Sequence, residues 1–361
     1  MNQYILLNPG PACTTDAVKK AMLKVGDVCP REVETGDLME EISNRIKSAL
    51  CSKPDDYETI LLASSGTGAV ESVISSLPEY ARVLNIVNGS YGQRIDNMLE
   101  VYDIDSKTLN FNEGVIDISK VEEELKNANY SSFTHISVIH CETTTGVINN
   151  IHEISELAMK YGCELIVDAM SSAFAYPIDV YRDVIEFLCC SSNKLVQGMA
   201  GIGIVLAKRT SLEKCKARTV YLDLKSQADY FTKTRQMRFT PPVQILSALV
   251  VALRELEIEG IENRYKRYQK LNLMIRSKME TLGFKPLIDK ENNSIVITSF
   301  VEPERFDFEK LHAYLKDRGF VIYPGKVSKG KTFRLSNIGD IKEEDIIIFL
   351  NYVESYCKEN C

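Results

Sequence analysis

Six short apolar runs with helix-like stretches between them constrain this chain more than any other feature. The runs are "TILLAS" (59–64), "RVLNIV" (82–87), "HISVIH" (135–140), "ELIVDA" (164–169), "FLCCSS" (187–192) and "GIGIVLAK" (201–208). Most are continuous rather than alternating, as in strands covered on both faces. Segments 66–77, 91–101, 119–128 and 152–161 carry helical patterning. Alternation of this kind predicts a doubly wound, mostly parallel α/β sheet. After about residue 245 the character changes. A long charged helical stretch, broken by Gly260 and Gly283, leads into "SIVITSFV", the helical "FDFEKLHAYLKDRGF", "VIYPGK", "TFRLSNIG" and a final helix from about 341. The expectation is a large domain over 15–245 and a small α+β domain over 246–361, with residues 1–14 packing near the latter. A length of 361 residues suits two such lobes.

Composition excludes several function classes. The chain is 45% hydrophobic and 26% charged, with a net charge of −7, as in an ordinary globular protein. It shows no basic stripe, so a nucleic-acid partner is not expected. No apolar stretch approaches the ~20 residues that span a bilayer, so no membrane is expected either. The start, "MNQYILLNPGPACTT", has no basic segment before its short apolar run and does not read as a secretory signal. A cytoplasmic location follows as an expectation. The ten cysteines form no C-x-x-C pair and have no zinc-like spacing with the four histidines, so they read as reduced thiols and no metal is expected.

In sheets of this kind ligands gather beyond the carboxyl ends of the strands. After "TILLAS" comes "SGTGAVES", where Ser65, Gly66 and Thr67 open a helix. Backbone N–H groups at a helix start, with small residues around them, suit a phosphate, although the same pattern also serves as a plain cap. After "RVLNIV" comes "NGSYGQR", in which Tyr91 is either a core aromatic or a flat face beside a ligand. "HISVIH" is followed by "CETTTGVINN", three hydroxyls before a glycine. Asp168 ends an apolar strand, where a carboxylate is costly unless a cation meets it or it caps a helix. Lys194, in "SSNKLVQGMAG", follows one strand later, so both can face one crevice. Together a phosphate cradle, an aromatic face, hydroxyls, a carboxylate and a lysine fit pyridoxal 5′-phosphate. The lysine condenses with the cofactor's aldehyde, and the carboxylate keeps the pyridine nitrogen protonated.

At these residues the sequence resembles the class V aminotransferases of the type I pyridoxal-phosphate fold. The resemblance runs through "LLNPGP", "NGSYGQR", "HCETTTGVINNI", "IVDAMSS", "SSNKLVQGMAG", "RFTPPV" and "GFVIYPGKVSKGKTFRLSNIGDI". The "ETTTG" and "VIYPGKVS…FR…NIG" segments are similar to the branch that transaminates 2-aminoethylphosphonate with pyruvate. The resemblance implies a small-molecule amine and a 2-oxo acid as substrates, and a homodimer with shared sites. It implies Lys194 as the Schiff-base lysine and proton shuttle, Asp168 as partner of the pyridine nitrogen, and Tyr91 as the stacking ring. Ser65, Gly66, Thr67 and Asn193 would serve the phosphate side, and Thr143 the ring hydroxyl. Thr240, in "RFTPPV", would reach the phosphate bound by the neighbouring subunit. Arg334 would bind the substrate anion, with Gly10 beside the substrate. The stretch "VGDVCPREVETGDLME" (25–40) departs from the phosphonate branch, which leaves Arg31 either as a second cation for the substrate or as a surface or dimer contact. The alternative within the family is an alanine–glyoxylate or serine–pyruvate type enzyme acting on carboxylates only. A desulfurase would need a mobile catalytic cysteine in a late glycine-rich loop, and a non-catalytic regulator an appended domain; neither is evident.

Overall fold

The computed structural model of the chain describes residues 4–128, 132–304, 306–328 and 330–360. Its centre is a seven-stranded sheet in the order Tyr57–Leu62, Gly203–Lys208, Phe187–Ser191, Glu164–Asp168, His135–Ile139, Arg82–Val87, Asp105–Asn110. Gly203–Lys208 runs antiparallel to both of its neighbours, and the remaining pairings are parallel. Six strands therefore point the same way, and their carboxyl ends lie along one edge.

The continuous apolar runs have a direct cause. Leu84 and Ile86, Ile136 and Val138, Leu165 and Val167, and Leu188 and Cys190 enter one core. Their alternates Val83, Ile139, Ile166, Phe187 and Cys189 enter a second core on the opposite face. Successive strand side chains point to opposite faces, so a sheet buried on both sides needs apolar residues at nearly every position. One strand has no counterpart among the apolar runs. Asp105–Asn110, "DSKTLN", is an exposed edge strand, and an edge facing water carries no apolar signature.

The helix Val243–Glu259 packs on Asp16–Lys24 and Val33–Leu50 and buries Leu246, Leu249 and Leu253 in the first core. It stops at Gly260, whose φ of +78° lies in the region that favours glycine. Ile261–Thr281 then continues to a third core, where Leu271, Ile275 and Met279 meet Phe300, Phe333, Leu335 and Phe349. A four-stranded sheet, Lys285–Pro286, Ile297–Val301, Thr332–Ser336 and Tyr323–Pro324 in spatial order, lines this core. The N-terminal strand Ile5–Leu6 pairs in parallel with Phe320–Val321. Further on, Ala12 N–H donates to the Asn193 carbonyl at 3.0 Å. The first described residues thus run from the third core to the edge of the large sheet.

Candidate active site

The carboxyl ends of the strands enclose a cavity of ≈ 220 Å³. Ser65, Gly66, Thr67, Tyr91, Thr143, Asp168, Asn193 and Lys194 all line it. Strand register brings the acid and the lysine together. Asp168 pairs with Ile139 on one side and Cys189 on the other, and Lys194 follows three residues after Ser191, where the adjacent strand ends.

At one wall the helix Gly66–Ser75 begins, with Ser65 as its cap residue. The Ser65 side chain makes no capping hydrogen bond, so its hydroxyl is available to a ligand along with the first N–H groups. A Cβ on Gly66 would lie 2.5 Å from Met170 Sδ, so any larger residue there would have to displace the Met170 side chain that lines the cavity. Thr67 Oγ1 accepts from Arg94 Nη1 at 2.9 Å. Arg94 also lines the cavity, and its guanidinium lies 4.9 Å from the Tyr91 ring centroid.

Tyr91 is held through its backbone. Its N–H donates to Glu142 Oε2 at 3.0 Å, while Glu142 Oε1 accepts from the N–H and hydroxyl of Thr144 at 3.1 and 2.6 Å. Glu142 is 0% exposed, and burial pushes its carboxyl up. The "ETTTG" segment therefore joins two strand ends through one buried carboxylate, and Thr143 is carried into the cavity between them.

Asp168 is buried, and Oδ1 accepts from Met170 N–H at 2.9 Å. Burial pushes its carboxyl up to about 6, against the pull of that N–H and of the Lys194 ammonium. Lys194 is pushed the other way, down to about 8, by burial that its attraction to Asp168 only partly offsets. Its Nζ donates to the Pro9 carbonyl at 2.5 Å. Gly10 lies against the same side chain, and a Cβ there would be 2.5 Å from Nζ.

Arg334 comes from the four-stranded sheet. It is 6% exposed, and its Nε donates to the Pro324 carbonyl at 3.0 Å and its Nη1 to the Thr143 carbonyl at 3.4 Å. Burial pushes its guanidinium below the usual range, while the Tyr91 and Glu142 side chains oppose that shift. Among the described residues no ion pair links Arg334, Arg94 or Lys326 to a protein carboxylate.

Gly10 and Arg334 do not line this cavity themselves but touch residues that do, Lys194 and Thr143; two further expected residues, Arg31 and Thr240, lie elsewhere. Arg31 is not among the residues lining the cavity. Its guanidinium donates to the Met237 carbonyl at 2.8 Å, the Arg238 carbonyl at 3.3 Å and Gln236 Oε1 at 3.3 Å, with the Tyr230 ring 5.6 Å away. These contacts hold the segment after the helix Leu224–Thr234. Thr240 is exposed and also outside the lining. Arg94, Met170, Cys141 and Ser191 line the cavity without standing out in the sequence. Arg94 had a signal, because it lies three residues beyond Tyr91 and so shares its face of the helix Ser90–Val101.

The donor set fits pyridoxal 5′-phosphate. An enclosed amine, a buried acid, an aromatic ring and an uncapped helix start that opens on a glycine converge on one space. The family model described as "Aminotransferase class-V" matches residues 24–339. The chain is 44% identical over 352 residues to a 2-aminoethylphosphonate–pyruvate transaminase of Bacillus mycoides, and 42% identical over 355 residues to one of Bacillus cereus. Each alignment covers 96% of this chain and 95% of the relative. Among solved structures, the alanine–glyoxylate aminotransferase of Nostoc sp. shares the fold, with a TM-score of 0.91 at 24% identity over 98% of this chain and 95% of that one.

Proposed function

This chain belongs to the class V aminotransferases, and we propose that it transfers the amine of 2-aminoethylphosphonate to pyruvate, giving phosphonoacetaldehyde and L-alanine. Enzymes of this class use pyridoxal 5′-phosphate, which when bound supplies an aldehyde for the amine and a ring that withdraws electrons from the amine-bearing carbon. The protein's part is to hold, orient and move protons. Lys194 would be the residue that holds the cofactor covalently, and its Nζ the group placed to move a proton at the amine-bearing carbon. An ammonium lowered to about 8 by burial leaves a usable share of neutral amine near neutral pH, which an ordinary lysine does not. Asp168, its carboxyl pushed up to about 6 by burial, would meet the ring nitrogen, and a cation there would favour its ionised form. Ser65, Gly66, Thr67 and Asn193 would hold the phosphate, with Arg94 bonded to Thr67. Tyr91 and Thr143, which line the same cavity, would hold the ring, Tyr91 by its aromatic face and Thr143 by its hydroxyl. Gly10 leaves the room that the Lys194 side chain occupies.

The observation that carries the substrate reading is Arg334, a buried guanidinium that donates to two carbonyls and, among the described residues, forms no ion pair with a carboxylate. A buried cation without a counterion is costly, and an anionic substrate supplies one. The guanidinium fork suits both a carboxylate and a phosphonate, so one residue serves both half-reactions. The phosphonate itself is inferred from the relatives that share over two-fifths of the sequence across nearly their full length.

We further infer a homodimer in which Thr240 reaches the phosphate bound by the neighbouring copy. Thr240 is exposed, and the nearby Val220 and Tyr221 are exposed apolar residues of the kind an interface covers. Nine cysteines among the described residues are free thiols, which supports a reducing compartment such as the cytoplasm.

A half-reaction tests the assignment. Holoprotein mixed with 2-aminoethylphosphonate and no acceptor should lose the absorbance of its lysine-bound cofactor, and pyruvate should restore it with release of L-alanine. L-Alanine run in reverse is the positive control. If serine or glycine converts the cofactor and the phosphonate does not, the substrate assignment is wrong and a carboxylate-only enzyme replaces it.

A further inference from the structure

A phosphonate differs from a carboxylate in charge. Its second proton leaves near neutrality, as in phosphate esters, so the donor carries up to two negative charges and the acceptor one. A single guanidinium such as Arg334 matches the acceptor and leaves the donor under-neutralised. Arg31, the other basic residue suggested by the sequence, is engaged with the 236–238 backbone. The cavity has another cation nearby. Lys326 Nζ lies 5.6 Å from the centroid of the Tyr91 ring, the same ring whose hydroxyl side faces Arg334.

The loop that carries Lys326 is tied down on both sides. At its base Gly325 N–H donates to the Thr332 carbonyl at 2.7 Å, and Gly325 packs so tightly on Thr332 that a Cβ there would overlap its hydroxyl. Across the gap, Ser90 Oγ donates to the Lys326 carbonyl at 3.3 Å. Ser328 N–H donates to Glu113 Oε1 at 2.6 Å. The loop thus extends from the four-stranded sheet and rests on the start of the helix that bears Tyr91. Tyr323, at the head of the same turn, pairs directly with Arg334. Arg94, the third cation around Tyr91, is engaged by the Thr67 hydroxyl at the phosphate cradle.

We propose that Lys326 is the second cation of the substrate-anion site and is the residue that favours a dianionic phosphonate over a carboxylate. This deepens the functional reading above and rests on it. A lysine is well suited to such a role. Its ammonium is a compact charge on a flexible stem, able to follow a tetrahedral head group or to withdraw into water when a planar carboxylate is bound. An exposed position spares it the desolvation cost of a fixed, buried second charge. The acceptor half-reaction therefore loses little by its presence.

The experiment uses holoprotein and two unreactive anions matched in length, 2-hydroxyethylphosphonate and 3-hydroxypropionate, titrated by calorimetry at pH 8 against wild type, Lys326→Met and Lys326→Arg. Lys326→Met should weaken the phosphonate by about tenfold or more and the carboxylate by less than about threefold, the size expected for losing one charge-assisted contact. Lys326→Arg should stay within about threefold of wild type for both. Turnover should follow the same split, with KM for 2-aminoethylphosphonate rising and kcat little changed. Equal weakening of both anions in Lys326→Met would mean a merely structural loop residue, and unchanged binding of both would mean no contact; either overturns the proposal. Should wild type bind the phosphonate and turn over 2-aminoethylphosphonate in those cases, only the assignment of Lys326 fails. A wild type that does neither removes the functional reading and this inference together.

Discussion

Lys194 shows how a side chain can be conspicuous in sequence while its working state is set by its surroundings. Enclosure beside Pro9 and Gly10 pushes its ammonium down to about 8, against the opposing pull of the Asp168 carboxylate. A lowered value means the folded protein binds that proton less tightly, so the neutral amine accumulates as pH rises through about 8 rather than through the ordinary ~10.4. When apoprotein is mixed with pyridoxal 5′-phosphate, the rate of covalent attachment should climb about tenfold per pH unit below that value and level off above it. A rate still climbing at pH 10 would show that burial does not lower Lys194. Asp168 and Lys194 were legible because an aspartate and a lysine at apolar strand ends need an explanation. Glu142 was legible only as one member of a polar cluster. Its role, receiving the Tyr91 and Thr144 N–H groups, depends on which strand ends become neighbours. Arg31 was left open between two roles for the corresponding reason: a basic residue in a divergent loop has no visible destination until the 236–238 segment is seen beside it.

At the level of elements, the strand–helix alternation was readable because burial on both faces writes an apolar residue at nearly every strand position. The six predicted runs coincide with strands to within about two residues at their ends. The edge strand Asp105–Asn110 was not readable, since water covers it. Turns at strand ends carry the site, and their glycines mark close approaches. Gly89 is the sharpest case. A Cβ there would overlap Glu142 Cγ and Cδ. Glu142 cannot step aside without giving up its three hydrogen bonds in a buried place. Gly89→Ala should therefore shift the Tyr91 turn, lower stability by about 1–3 kcal/mol and weaken cofactor binding by about tenfold or more. Thermal unfolding of the apoprotein and a cofactor titration measure the two effects. A variant with wild-type midpoint and affinity would show that the turn is not held by this contact.

For the whole molecule, the site joins parts distant in sequence. The large sheet presents the cradle, Tyr91, Thr143, Asp168 and Lys194, while Arg334 of the four-stranded sheet reaches the Thr143 carbonyl and Lys326, in the loop before Thr332–Ser336, lies near the Tyr91 ring. The proposed dimer adds Thr240 from a second copy, and subunit mixing tests it. Lys194→Ala and Thr240→Ala homodimers should each be impaired, the first by orders of magnitude. If Thr240 acts across the interface, a mixed dimer has one intact site, combining Lys194 of one copy with Thr240 of the other. Mixed dimers should then regain about half of the wild-type activity per dimer, given independent sites. Recovery no greater than the Thr240→Ala contribution alone would place Thr240 in its own subunit's chemistry or in none.

The amino-acid sequence by itself determined the doubly wound sheet, the strand ends as the seat of chemistry, and the lysine and aspartate that need each other there. These follow from local periodicity and from the cost of placing charge at the end of an apolar strand, both of which act over a few residues. Only the tertiary structure decided which cations face the ring of Tyr91, which glycines make room for Glu142 and Lys194, and where Arg31 goes. Those are outcomes of register, loop docking and burial between segments tens to hundreds of residues apart, and no short stretch of the chain contains them.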